Sequence, residues 1–408
     1  MSGVVVIGGG LAGGAAASAL AATGRRVTLF EREAAPGHKI CGEFLSGEAR
    51  RSLAAVGFDV ARLGGHPIGR VRLVAGVRSA TVALPFEGLG LTRRRLDAAL
   101  LDHAVALGAA VHMGVAVRGL DCTAGLRLAL ESGEALAPAA LLLATGKHDL
   151  RGVRRTGAVP ADLIGFKMYF RPGAAAARAL DGHIELHLFG AGYAGLQRVE
   201  AGMVNLTLLV ERAHFKRIGG RWQALLADLR GSNALLDERL TGSVALLEQP
   251  LTIFRVPYGF VHRPADDDAP GLFRLGDQMA VIPSFTGDGM AIALHTALAA
   301  AGAVLAGRSA HDYHTAMARE LGGQIGRAAL LYRAARPVPA QRALIELARA
   351  CPPLVRLAAR WTRVSPRAAA AVNGGVGHTA ARRSSLNVHS ATASPSTAIS
   401  APTSGRSR

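Results

Sequence analysis

Gly3-Val4-Val5-Val6-Ile7-Gly8-Gly9-Gly10-Leu11-Ala12-Gly13 opens the chain, and Val27-Thr28-Leu29-Phe30-Glu31 follows past a short helix. Val4 to Ile7 is a continuous apolar run, the pattern of a strand buried in a parallel sheet. Gly8 and Gly10 let the backbone turn sharply and approach a pyrophosphate with no Cβ in the way. Gly13 lets the next helix sit close to the strand, with its N-terminal N–H groups facing the phosphates. The helix is expected over Ala15 to Ala22, with Gly24 ending it and a second strand over Val27 to Phe30. Glu31 then stands where a carboxylate accepts hydrogen bonds from a ribose diol. Together these features specify a dinucleotide site, which GxGxxG alone would not.

Residues 1–24 carry no side-chain charge, but a secretory leader needs a basic start, and seven glycines do not suit a lone spanning helix. The three cysteines, Cys41, Cys122 and Cys351, make neither a disulfide framework nor a zinc cluster. A cytoplasmic location is the expectation, with peripheral membrane contact as an addition to it.

The net charge of +18 comes from forty-three arginines and four lysines spread through an Ala/Gly-rich background. No nucleic-acid motif or series of stacking aromatics accompanies it, so nucleic acid is not an expected partner. From residue 331 onward there are twelve arginines and a single acid, Glu346. Arginines beside Leu344-Ile345, Leu354-Val355 and Leu357 suit an anionic membrane surface, and equally suit the solvated outer face of helices. Residues 331–380 are therefore the candidate membrane-contacting segment. The oligomeric state is left open.

Along the chain, Gly64 to Leu84 reads as strands ending before Pro85, and Thr92 caps a helix from Arg93 to Leu107. Short strands are expected at Val111 to Val117, Leu126 to Leu130 and Leu141 to Ala144. Phe166/Met168/Phe170, Ile184/Leu186/Leu188 and Val204/Leu206/Leu208 alternate with period two, as in a sheet with one covered face. Residues 221–248 read as helical, Leu251 to Phe260 as a strand, and Leu272 to Leu275 as another. Gly287-Asp288-Gly289 opens a helix to about Leu305. Helices broken at Pro337/Pro339, Pro352-Pro353 and Pro366 fill 306–380, and a Ser/Thr/Ala/Pro-rich disordered tail follows.

Four separated segments resemble the flavin oxidoreductase superfamily that includes p-hydroxybenzoate hydroxylase and geranylgeranyl reductase. They are the fingerprint ending in Glu31-Arg32, Thr92-Arg93-x-x-Leu96-Asp97, Ala144-Thr145-Gly146, and Gly276-Asp277 followed by Pro283, Gly287 and Gly289. The resemblance implies FAD, held by Gly8, Gly10, Gly13, Glu31, Arg32, Arg93, Asp277, Gly287 and Gly289. Arg93 would approach the phosphates, Asp277 the ribityl chain, and the helix after Gly287 the isoalloxazine.

A finer likeness, Pro36-x-x-Lys39-x-Cys41-Gly42-x-x-Leu45, is to the geranylgeranyl reductase branch. It makes Cys41 a substrate-pocket candidate, together with Tyr193 and Pro283; a small core thiol is the competing reading of Cys41.

The chain also departs from both branches. The hydroxylases' D-G-x-x-S-x-x-R becomes Thr145-Gly146-Lys147-His148-Asp149-Leu150-Arg151-Gly152. The reductases' Y-x-W-x-F-P survives only as Tyr193-Ala194-Gly195-Leu196, and Pro283 falls one residue early. No second dinucleotide domain is visible, so NAD(P)H would dock transiently as electron donor. His183-Ile184-Glu185-Leu186-His187 is not a zinc motif and His311/His314 lack a third ligand, so no metal is expected.

The expected fold is α/β: a discontinuous Rossmann-like FAD domain, an inserted sheet-rich substrate domain and a helical C-terminal segment, in a two-layer arrangement. Residues 1–63, 91–160 and 266–305 would form the first, 64–90 and 161–265 the second and 306–380 the third, with 381–408 as tail. The expected activity is an FAD-dependent monooxygenase acting through a flavin hydroperoxide on a hydrophobic aromatic, polyketide or lipid-like molecule. The alternatives are reduction of isoprenoid C=C bonds and a non-catalytic lipid carrier on the same fold. No catalytic side chain is assigned.

Overall fold

A computed structural model describes residues 3–157, 161–265, 268–365 and 369–373. The expected break at Pro366 and the tail 381–408 lie outside them.

Five parallel strands form the first sheet, in the order Leu272–Arg274, Ala140–Leu143, Val4–Ile7, Val27–Glu31, Ala110–Met113. Its central strands Val4–Ile7 and Ala140–Leu143 are buried on both faces, which is why they read as unbroken apolar runs, whereas Ala110–Met113 is a partly exposed edge. Val4 and Val6 point toward the helices Leu11–Ala21, Arg93–Ala106 and Gly289–Leu305. Val5 and Ile7 point toward a small antiparallel sheet of Val117–Asp121, Arg127–Leu130 and Ala135–Leu136. The Rossmann-like part thus has three layers, not two. The first helix starts at Leu11, not Ala15, because Gly10 already serves as its N-cap.

The second sheet has nine strands and curls around its own core. Its strands His66–Ala75 and Arg78–Gly90 form a long hairpin, and the latter runs straight through Pro85. Gly182–Phe189 pairs in parallel with His66–Ala75 and antiparallel with Gly192–Arg198, a strand that the sequence pattern did not reveal. Gly192–Arg198 then pairs with Val204–Glu211, and that strand with Leu163–Arg171. Phe44–Leu45 closes the far edge.

Both faces of this sheet are covered, correcting the expectation of one. Phe166, Met168, Phe170, Leu206 and Leu208 pack on the helices Trp222–Ser232 and Ala234–Leu240. The opposite face carries Lys167, Tyr169, Asn205 and Thr207 at one end and Tyr193, Leu188 and Leu209 at the other. The polar end meets the segment Lys39–Glu43. The apolar end is roofed by Ile345, Ala348, Phe285 and Tyr332.

The helices Ala310–Ala334, Val338–Ala350 and Pro352–Trp361 follow, and residues 369–373 are helical again. Prolines sit in the first turn of Val338–Ala350 and of Pro352–Trp361, where a missing N–H costs nothing. Among the described residues no helix is long and apolar enough to cross a membrane.

Candidate functional site

The glycine loop is built by sterics. Gly8 has φ +105°, and a Cβ there would stand 2.5 Å from the Ala144 carbonyl oxygen. A Cβ on Gly13 would stand 1.9 Å from the Gly8 carbonyl oxygen, so only glycine lets the helix approach the loop. Gly10 has an ordinary φ; what matters is what faces it. The position of its missing Cβ lies 3.4 Å from Arg93 Nη2 and 3.6 Å from Lys39 Nζ. Gly10 makes no side-chain cap, so the first N–H groups of Leu11–Ala21 stay free to meet an anion.

Two cations over an uncapped helix start suit a diphosphate. Arg93 is held by Asp97 through two 2.8 Å hydrogen bonds, and Lys39 lies 3.7 Å from the same carboxylate. Arg32 is exposed and pairs with neighbouring Glu33. Burial, followed by Arg32, Lys39, Arg155 and Lys147, lowers the His148 pKa, so four cations crowd this mouth. Glu31 is buried and accepts from the Gly9 amide at 2.6 Å and the Glu33 amide at 3.0 Å.

Asp277 stands at the other end of the cradle. Its side chain is half-buried and its carboxylate makes no hydrogen bond, while its backbone carbonyl accepts from Arg155. Arg155 also reaches Asp149 at 2.7 Å and the Lys147 carbonyl at 2.7 Å. It ties the Thr145–Gly152 segment to Asp277, a contact that the sequence pattern did not show. Gln278 adds hydrogen bonds to the Gly146 and His148 carbonyls.

Pro283 is buried and precedes a 3₁₀ turn, Ser284–Thr286, that ends at Gly287. The helix Gly289–Leu305 then begins with no side-chain cap, and nothing lies within 4 Å of where a Gly289 Cβ would be. Its start therefore has open space beside it. Asp288 is wholly buried. It accepts from Gln324 at 2.6 Å and the Val364 amide at 2.9 Å, and lies 3.3 Å from Arg363. Burial pushes its pKa up to about 6, against the pull of Arg363.

Cys41 is half-buried, and its carbonyl accepts from Thr207 at 3.0 Å. Asn205 holds the Gly42 carbonyl at 2.9 Å, and Gln197 the Glu43 carbonyl at 2.8 Å. Glu43, with φ +60°, carries the side chain that sequence reasoning missed. Its Oε1 receives Lys167 Nζ at 2.6 Å, Tyr169 O–H at 2.7 Å and the Arg93 amide at 2.7 Å. Its Oε2 is buried without a partner. Tyr169 spends its proton on Glu43, so His38 Nδ1, 3.1 Å from the same oxygen, must be the donor in that contact.

Tyr193 is buried between Phe285 and Tyr332, both edge-on at 5.8 and 6.2 Å, and its hydroxyl has no partner. A cavity of about 20 Å³ remains there, room for one water. A larger surface cleft of about 670 Å³, lined by Arg50, Arg51, Phe58 and Phe86, contains none of the expected site residues.

His262, Asp268 and His314 place ligand atoms within 4.8 Å of one another. His314 Nε2 accepts the Arg274 amide, so its proton sits on Nδ1, the nitrogen a metal would need. With the Arg274 guanidinium also affecting both histidines, the cluster is a poor cation site.

Residues 6–48 match the family described as NAD(P)-binding Rossmann-like domain. The halogenase PltM, solved with phloroglucinol and FAD, superposes with a TM-score of 0.70 at 14% identity, over 94% of this chain and 92% of that one. The chain shares its fold with that FAD-binding halogenase. The myxobacterial chondrochloren halogenase CndH, an FAD-dependent halogenase, shares this flavoprotein fold with a TM-score of 0.67 at 20% identity, over 93% and 97%. So does PqsL from Pseudomonas aeruginosa, described as a probable FAD-dependent monooxygenase, with a TM-score of 0.66 at 16% identity, over 85% and 99%. Among curated proteins none matches by sequence.

Proposed function

We propose that this protein is an FAD-dependent monooxygenase acting on an apolar, aromatic or lipid-like molecule. The observation that carries the cofactor is the pair Arg93 and Lys39 over Gly10, with the free Asp277 carboxylate and an uncapped Gly289–Leu305 helix completing the cradle. Glu31, Arg32, Gly8, Gly13 and Gly287 would line the FAD site as the resemblance implies. Bound FAD would supply electron storage and activation of dioxygen.

The chain's own residues would do the rest. Tyr193, Phe285, Tyr332 and Tyr258 would form one aromatic wall of the substrate site, and Pro283 fixes the turn that carries Phe285. Cys41 contributes to the wall beside the Lys39–Glu43 segment. Lys167 and Glu43 hold one proton between Nζ and Oε1, with Tyr169 and His38 extending the chain toward solvent. Burial raises the Glu43 pKa and lowers that of Lys167, so both are biased toward their neutral forms. A pair so poised can take up the proton lost when a C–H bond becomes C–OH. NAD(P)H is the proposed transient reductant, and peripheral membrane contact through residues 331–380 suits a substrate that partitions into lipid.

Photoreduction of the purified flavoprotein, then exposure to air with candidate substrates, tests the reaction. A product heavier by one oxygen supports it. A saturated product formed without air would give the reductase instead, and a halogenated product in the presence of halide would assign the chemistry named for PltM and CndH. Protein that purifies without a flavin band and does not take up FAD would leave only the carrier.

A further inference from the structure

Ten large apolar side chains are exposed among the described residues, and six of them lie in Ala310–Ala334, Val338–Ala350 and Pro352–Trp361: Leu330, Val338, Leu347, Leu354, Leu357 and Trp361. The helix Pro352–Trp361 buries no residue at all. Its Leu354, Leu357 and Trp361, 46%, 42% and 57% exposed, are spaced three and then four apart and share one line along the helix. Arg356 and Arg360 are exposed alongside that line and pair with no carboxylate; neither do Arg333 and Arg342 on the two preceding helices. The one acid of the region, Glu346, is already taken by Arg78 and Arg349.

From this we infer that the outer face of Pro352–Trp361 is a docking surface for an anionic lipid bilayer. The inference deepens the membrane contact proposed above and rests on it, but does not depend on the flavin chemistry. A leucine–tryptophan line flanked by arginines lets the apolar edge enter the headgroup boundary while the guanidinium groups stay at its charged surface. The indole prefers that same boundary. Charge decides the occupant. A second copy would set these arginines against their own kind, and a mixed-charge protein surface would leave them unmatched, whereas an anionic bilayer answers all of them at once.

The helix is also fixed to the proposed site. Directly after Trp361, the Thr362 carbonyl accepts from Gln324 and the Val364 amide donates to Asp288, the residue that starts the helix Gly289–Leu305. Val355 and Ile345 pack in the same cluster as Tyr193 and Phe285. A bilayer under this face would therefore lie behind the aromatic cluster around Tyr193.

The test is flotation of the full flavin-loaded protein with phosphatidylcholine vesicles, with and without phosphatidylglycerol, at low and high salt. Binding should require phosphatidylglycerol and fall by about tenfold or more at high salt, as expected for several arginine contacts. Leu357→Ser with Trp361→Ser, and separately Arg356→Gln with Arg360→Gln, should each weaken flotation several-fold with melting temperature and flavin absorption unchanged. Absence of flotation overturns the inference. So does flotation that survives both pairs of substitutions, which would place the contact elsewhere in the chain. A dimer dissociated by Leu357→Ser would give the face to a second copy. Flavin absorption, recorded on the same samples, keeps failure of the cofactor reading separate.

Discussion

Lys167 Nζ lies 2.6 Å from Glu43 Oε1, and neither side chain is exposed to solvent. The contact joins the large sheet to the segment that carries Cys41, and Lys167 adds a hydrogen bond to the Lys39 carbonyl at 2.9 Å. Removing one partner leaves the other's buried polar group without its hydrogen bond, at a cost of about 1–3 kcal/mol. Lys167→Met and Glu43→Gln should therefore each lower stability by that order, and the double variant by less than the sum. Denaturant unfolding of all three measures the coupling. In Lys167→Met that still folds, retained flavin with an altered pH profile of turnover would distinguish a proton-holding pair from a purely structural one.

Gly10 and Gly13 should fail in different ways. Gly13→Ala puts a Cβ 1.9 Å from the Gly8 carbonyl oxygen and should destabilise the fold itself. Gly10→Val aims its methyl groups toward Arg93 and Lys39, and should yield folded apoprotein. Melting temperature and flavin absorption separate the two outcomes; full yellow occupancy in Gly10→Val would remove this loop from the cofactor site.

Asp277→Ala should weaken FAD by about 1.5–3 kcal/mol, the range for a hydrogen bond to a charged group. Because the carboxylate has no protein partner to lose, thermal stability of the apoprotein should hardly change. Fluorescence titration of apoprotein with FAD measures the first, and a melt without FAD the second.

Cys41→Ser should preserve flavin occupancy and melting temperature while altering turnover or product distribution. Half-buried Cys41 leaves room outward, so Cys41→Phe should block substrate without unfolding the protein. Unchanged turnover in a destabilised Cys41→Phe would return Cys41 to the core.

Asp288 carries a pH signature. Its folded pKa, about 6, lies above the ordinary 3.8, so folding favours the protonated acid. The stability it contributes is full below pH 3.8 and is lost as pH rises through 6, a change of about 3 kcal/mol by linkage. Asp288→Asn cannot ionise, so its stability relative to the parent should improve by that order between pH 4 and pH 7.5. Denaturant midpoints at the two pH values measure it, and a pH-independent difference would sink the assignment.

The sequence alone determined the Gly8–Gly13 loop and its flanking strands, because these rest on neighbours close in the chain. Gly8 needs its positive φ, Gly13 needs its close approach to the loop, and Glu31 reaches Gly9 only 22 residues back. The cap at Thr92 was likewise local, its hydroxyl accepting from the Arg95 amide. Tertiary structure decided the rest. Period-two alternation put Lys167 and Tyr169 on one face of a strand but could not say that the Lys39–Glu43 segment would cover that face. Arg155 reached the Asp277 carbonyl from outside the Thr145–Gly152 segment, and Tyr193 gained Phe285 and Tyr332 from distant segments. Burial of a charge or a hydroxyl depends on which remote element lands on it, and packing fixes that only when the whole chain folds.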